Sequence, residues 1–382
     1  MKNDIFIVSH SIISPLGYGT HENFDSAFAG KSGITEIHDD SLSPFPFFGA
    51  KIDENELNER FGAKYIPSDY TLFEKLLILS VDSALRGKDI NPASPDTLFF
   101  ISTTKGNIAL LDEKKRGNFA QERINLWHTA RLLKEHYKSA ACPIIISNAC
   151  ISGVSALISA LRILDETIYN NAIVCGADIL SSFVISGFHS FQALSSCICK
   201  PFDENRDGIN LGEAAGTIIL TKKKKDEYRF RISGASVSND ANHISGPSRT
   251  GDGLELAIRK SLEEASLPAN ELDFVSAHGT ATPYNDEMEC LAFGSAGLSE
   301  TETNSMKAYF GHTLGAAGLI ESAMTLESME RGELLKSAGY EKHGVSKDLN
   351  IIKENKKKEI KRAIKTASGF GGCNAAIVFE KI

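Results

Sequence analysis

The chain has 382 residues, 42% of them hydrophobic and 24% charged, with a formal net charge of −8. That length accommodates two or three domains, or one large double domain, with a sizeable core. The acidic balance speaks against a nucleic-acid binder, which needs a basic footprint, and no segment approaches the roughly 20 apolar residues of a transmembrane helix. The seven cysteines are scattered, with no CxxC pair. The N-terminal apolar run is broken by Ser9 and His10, unlike a secretory signal. The expectation is free thiols in a reducing, cytoplasmic compartment.

In chain order, apolar β-branched runs predict strands at residues 5–8, 97–102, 143–147, 172–175, 215–220, 229–233, 274–277 and 375–379. Helical spacing predicts helices at 70–85, from Cys150 onward, at 253–265 and at 314–329. The helix after Cys150 has the clearest pattern, with Ile151, Val154, Ile158, Leu161, Leu164 and Ile168 on one face. Alternating strands and helices imply an α/β protein with buried sheets. The lysine run 222–225 reads as a solvated connection. On either side of it the order of elements repeats, so two similar halves are expected, 1–225 and 226–382, with a site at their seam. The lysine-rich stretch 353–362 reads as an exposed loop or strand edge.

Four stretches pack reactive residues among glycines at strand ends or helix starts, where α/β sheets place their sites. They are Asn148-Ala-Cys150-Ile-Ser-Gly153, His278-Gly-Thr280-Ala-Thr282-Pro-Tyr-Asn-Asp286, Lys307-Ala-Tyr-Phe-Gly-His312 with its following helix, and Gly369-Phe370-Gly-Gly372. Cys150 is either a small packed hydrophobe or a nucleophile whose thiolate the helix N-terminus stabilises. His278 and His312, each beside glycine, can donate to a developing oxyanion or move a proton. The glycine turn can supply oxyanion-hole N–H groups. Cysteine, two histidines and an oxyanion hole suit acyl chemistry; these residues alone do not name a substrate.

Taken together, these stretches resemble the elongating β-ketoacyl-acyl-carrier-protein synthases of the thiolase-fold superfamily. Also similar are Pro201-Phe-Asp-Glu-Asn-Arg-Asp-Gly208, Gly212-Glu-Ala-Ala-Gly216, Ile13-Ser-Pro-Leu-Gly17 and Gly187-Phe188 with Ala193-Leu-Ser195. The resemblance implies a five-layered αβαβα fold built from the two halves. It implies a decarboxylative Claisen condensation between an acyl chain on Cys150 and malonyl-acyl-carrier protein. His278 and His312 would promote decarboxylation, with Lys307 tuning their electrostatics. Phe370 would gate the site, its N–H and that of Cys150 forming the oxyanion hole. Phe188, Ser368, Thr280 and Thr282 would contact the substrate and its phosphopantetheine arm. Asp286, Glu289 and Glu321 would pair with Lys307. No metal or free cofactor is implied. The partners implied are an acyl carrier protein and a second subunit, in a homodimer or in a heterodimer with a related chain.

The chain departs from the family pattern in three places. It is shorter between residues 107 and 137, where the family builds dimer contacts and part of the acyl pocket. Ser368 stands where the family's gate has a second phenylalanine. Residues 60–71, the usual carrier-docking segment, are poor in basic residues, with Lys64 before IPSDYT. These changes suggest a specialised pathway such as polyketide or aryl-polyene formation. The alternative is a non-catalytic or partner-dependent, chain-length-factor-like subunit of a heterodimeric ketosynthase, the non-catalytic kind being expected to lack the cysteine. A third reading is a hydrolase using Cys150 and a histidine, which the dry pocket of a synthase speaks against.

Overall fold

The computed structural model describes residues 4–382. Ten strands form one continuous sheet path. The N-terminal five are β1 (Ile5–Ser14), β2 (Thr97–Ser102), β3 (Ile144–Ile146), β4 (Asn171–Asp178) and β5 (Ala214–Thr221). The C-terminal five are β6 (Phe230–Asn239), β7 (Phe274–Ser276), β8 (Glu302–Asn304), β9 (Arg362–Gly369) and β10 (Cys373–Lys381). Their spatial order is β3-β2-β4-β5-β1 in one half and β8-β7-β9-β10-β6 in the other. Numbered within its own half, each reads 3-2-4-5-1, so the topology is duplicated. In each half the first three of these strands are parallel, and the last two run antiparallel to their neighbours. The halves join where β1 pairs antiparallel with β6, Ile5 opposite Ile232.

Helices complete five layers. Helix α1 (Leu72–Leu85) covers the outer face of the first half and α3 (Asp252–Ala265) that of the second. Between the sheet halves lie α2 (Ser152–Glu166) and α5 (Ala317–Arg331), each touching strands of both. A helix buried on both sides must be apolar nearly all round, and α5 is buried from Ala317 to Met329. A further helix, α4 (Pro283–Ser295), packs on α3.

Most expected elements are present, but β1 and β6 run on to Ser14 and Asn239, six residues past their expected ends, and helix α4 is not among those expected. Helix α1 begins at Leu72, because Thr71 and Glu74 form a capping box that fixes its start. Helix α2 ends at Glu166, so Ile168 is 84% exposed and off the apolar face. The helix expected from 314 opens with a separate 3-10 turn, Leu314–Ala316. Strands β8 and β9 were not anticipated. In β9, Lys365 and Thr366 interrupt the apolar run, although both are fully buried.

The contact between α2 and α5 is made by glycines. A methyl on Gly153 would lie 2.7 Å from the Leu319 nitrogen, and one on Gly318 would lie 2.6 Å from the Val154 nitrogen. The helices therefore approach backbone to backbone, and α2 follows Cys150 as α5 follows His312. Gly153→Val is expected to force them apart at a cost of about 1–3 kcal/mol, read as a lower urea midpoint. It should also lower activity, by widening the gap between the two side chains.

Candidate functional site

Cys150 lies two residues before α2. Ser152 ties the turn: its Oγ accepts from the Asn148 N–H at 2.8 Å and donates to the Ala149 carbonyl at 2.6 Å. Ala149, just before the cysteine, has φ +44°, a left-handed conformation that costs energy for a residue with a Cβ. Ala281 and Leu314, each two or three residues beyond a site histidine, are left-handed as well, at φ +59° and +48°. Strain is thus gathered on all three loops that deliver the reactive groups.

His278 follows β7, and His312 sits on the loop before α5. Their rings meet edge to face with centroids 5.2 Å apart. One donor atom from each of Cys150, His278 and His312 lies within 4.8 Å of the others, and all three residues are buried. Nδ1 of His278 and both ring nitrogens of His312 are buried without a hydrogen-bond partner. Buried polar atoms are normally satisfied, so imidazole nitrogens left free here are available to a reacting group. Burial, then the Lys307 charge, holds both histidines well below their ordinary pKa. They are neutral at physiological pH, each able to donate one N–H. This is the one grouping of cysteine, histidine and carboxylate donors this tight among the described residues. Neutral imidazoles beside a thiol are the groups that acyl transfer uses.

The cysteine itself differs from expectation. Burial pushes its thiol up to about 12, and the pull of Lys307 and Lys105 does not offset this. Burial therefore favours the thiol form of Cys150.

The expected carboxylates do not act as one set. Only Glu321 pairs with Lys307, whose ammonium also donates to the His278 carbonyl at 2.9 Å. Glu289 instead grips the histidine backbone, accepting from the His278 N–H at 2.8 Å and the Gly279 N–H at 2.6 Å. Asp286 accepts from the Phe202 N–H at 2.7 Å and the Ala281 N–H at 3.2 Å. Burial raises its pKa to about 7. Neither Asp286 nor Glu289 forms an ion pair with Lys307, because both sit on α4 and point to the amide side of the His278 loop.

In front of the cluster lies a cavity of about 440 Å³. Cys150, His278 and His312 form its base, and Thr280, Thr282 and Ser368 line it, the two threonine hydroxyls 2.8 Å apart. Phe370, 41% exposed, stands at the mouth. It stacks on Phe188 at 6.0 Å and meets Phe191 edge-on at 5.8 Å. Gly369 lies against the cysteine loop, where a methyl would come 3.0 Å from the Cys150 nitrogen. Ser368 turns back to donate to Asn374 Oδ1 at 2.8 Å.

Two features escaped the sequence reading. Asp178, at the end of β4, accepts from Thr103 Oγ1 at 2.9 Å and from the Gly315 N–H at 2.7 Å. It thereby ties the end of β2 to the turn beyond His312. Lys365 is the other. A lone aspartate ending a strand and a lysine inside one carry no pattern that local sequence would flag.

The β-ketoacyl synthase N-terminal domain matches residues 2–226 and the C-terminal domain matches residues 229–341. The chain belongs to the β-ketoacyl synthase family. The synthase is 30% identical over 409 residues to 3-oxoacyl-[acyl-carrier-protein] synthase 2 of Staphylococcus aureus, covering 99% of this chain and 98% of that one. It is 25% identical over the full length of both chains to the enzyme of the same name from Vibrio cholerae. Its fold matches the ketosynthase ApeO, solved with its chain length factor ApeC from Xenorhabdus doucetiae, with a TM-score of 0.88. That match has 24% identity and covers 100% of this chain and 98% of that one. The expected thiolase-like architecture is borne out. Residues 342–382, which carry β9, Phe370 and Lys365, lie beyond the matched domains.

Proposed function

We propose that the synthase performs a decarboxylative Claisen condensation, with Cys150 as nucleophile. The observation that carries this is the buried triad of one thiol and two neutral, partly unpartnered imidazoles within 4.8 Å. The Cys150 sulfur attacks an acyl thioester as a histidine takes its proton, and the carrier thiol leaves with a proton. The acyl group is then held on sulfur. In the second half-reaction the bond from the malonyl α-carbon to its carboxylate breaks and carbon dioxide leaves. The electron pair becomes an enolate, whose oxygen the histidine N–H groups stabilise. The enolate carbon attacks the acyl carbonyl, the Cys150 and Phe370 N–H groups hold the second oxyanion, and the sulfur departs to be reprotonated. Lys307 and Glu321 brace His278 from behind, Glu289 and Asp286 hold its loop, and Thr280, Thr282, Phe188 and Ser368 line the approach of the arm.

In this reading the substrates arrive on the phosphopantetheine of an acyl carrier protein, as the names of the Staphylococcus and Vibrio relatives suggest. The two halves, 1–225 and 226–382, contribute the cysteine and the two histidines respectively. The protein works in a reducing cytoplasm, consistent with seven free cysteines; no helix among the described residues is long and apolar enough to cross a membrane. It works as a dimer. Strand β3 pairs only with β2, and its three isoleucines are partly exposed, leaving an open edge. Open edges favour pairing with another chain. A related subunit is the second reading of that partner, favoured by the fold match to a ketosynthase that carries a chain length factor. The test is to mix the protein with acyl- and malonyl-carrier protein, alone and with a candidate subunit, and follow ketoacyl product by mass. Product from the protein alone shows that no related subunit is needed, with the homodimer then read from the solution mass; product only with the subunit identifies the heterodimer, and no product in either arm overturns the reading.

A further inference from the structure

Lys365 is a fully buried lysine in the middle of β9. A lysine ammonium carries three donors and no acceptor. Two carbonyls accept from this one, Ala277 at 2.8 Å and Ser276 at 3.1 Å, and Glu321 Oε2 stands 2.7 Å away as its ion-pair partner. A neutral amine would turn its lone pair on one of these oxygens, so the surroundings fit the charged form, although burial alone disfavours it. The carbonyls of Ser276, Ala277 and His278 are consecutive. The first two are held by Lys365 and the third by Lys307. Glu321 joins the two ammoniums, one on each oxygen. The next residue, Thr366, donates to Glu289 Oε1 at 3.3 Å, the same oxygen that accepts the His278 N–H. Neighbouring residues of β9 thus reach both sides of the strand end that carries His278.

We propose that Lys365 is a positioning residue of the condensing site: its ammonium clamps the carbonyl end of β7 and, through Glu321, holds Lys307 beneath the His278–His312 pair. This rests on the condensing role assigned to those histidines. Lys365 touches no substrate-facing surface of the cavity. It acts through the backbone it fixes and the charge it places near the imidazoles. The other charged or titratable groups around His278 are Lys307, His312 and Cys150, with Glu289 on its amide and Glu321 behind Lys307. Removing one of the two ammoniums leaves the imidazolium form less opposed. The His278 titration then moves upward, and the acid limb of condensation moves to higher pH with it.

The test is Lys365→Met, which keeps the shape of the stem and removes the charge. NMR titration of labelled histidines, with His278 assigned through a His278→Gln variant, reads placement without turnover. The expected result is an upward move of His278 by about one pH unit. Acylation of Cys150 should stay within about threefold while condensation falls about tenfold, because acylation needs only one imidazole as base whereas the enolate is held by both. Lys365→Ala should recover condensation on addition of propylammonium, which can reoccupy the space between Glu321 and the two carbonyls. An unchanged His278 titration overturns the proposal. So does an equal loss of both half-reactions with a lower melting temperature and no recovery by propylammonium, which would mark a packing residue. Should wild-type enzyme fail to condense at all, the catalytic reading falls, and the histidine titration still decides whether Lys365 sets this site.

Discussion

Cys150→Ala is expected to remove acyl transfer altogether and to cut condensation by about four orders of magnitude or more, since the substituted enzyme has no atom to hold the chain. Alanine fits a site that is already 91% covered, given the 9% exposure of Cys150, so folding should be preserved. The same position gives a pH signature in the wild-type protein. With the thiol pushed up to about 12, the thiolate fraction rises about tenfold per pH unit across the whole range from 6 to 10. Alkylation of Cys150 by iodoacetamide should therefore climb steadily with pH and show no plateau near neutrality. A plateau below pH 8 would mean that the helix N-terminus and the two lysines outweigh burial. Intact mass after timed alkylation measures it, with Cys150→Ala correcting for the exposed Cys142.

The second large effect belongs to the histidines, and it separates the two half-reactions. His278→Ala or His312→Ala should lower condensation by about 10²–10³-fold, the usual loss for one donor to a developing oxyanion. Acylation of Cys150 should fall by less, because the remaining imidazole can still take the thiol proton. The readout is a pair of rates in one preparation: appearance of the acyl adduct, and release of carbon dioxide from labelled malonyl thioester. Because both imidazoles are held neutral by burial and Lys307, decarboxylation should persist well below pH 6.5 and fail only as the histidines protonate. Equal losses in both rates would place the histidines in structure rather than in decarboxylation.

Much of this site was legible before folding, for identifiable reasons. Strand β2 was bounded correctly at residues 97–102 because an unbroken apolar run ends there in Ser102-Thr-Thr104. Cys150, His278 and His312 announced themselves by glycine-rich surroundings at element ends. What local sequence does not encode is reach across the fold. Asp286, Glu289 and Glu321 looked equivalent as partners for Lys307, yet two of them lie on α4 and one on α5, and only the last points at the ammonium. Lys365 stands in no stretch that the sequence singles out, since nothing nearby reveals that a carboxylate 44 positions earlier lies opposite it. The same limit applied to the thiol. A helix start argues for a low pKa, but burial is a property of the whole molecule, and here it dominates.

The central claim is that one thiol carries the growing chain between two steps. The most direct measurement is to incubate the protein with acyl-carrier proteins of graded chain length, digest, and locate the adduct by mass. The account predicts the acyl mass on the peptide bearing Cys150, stable until malonyl-carrier protein is added and then discharged as ketoacyl product. An acyl group found on another residue, or product formed while Cys150 stays free throughout, would contradict it.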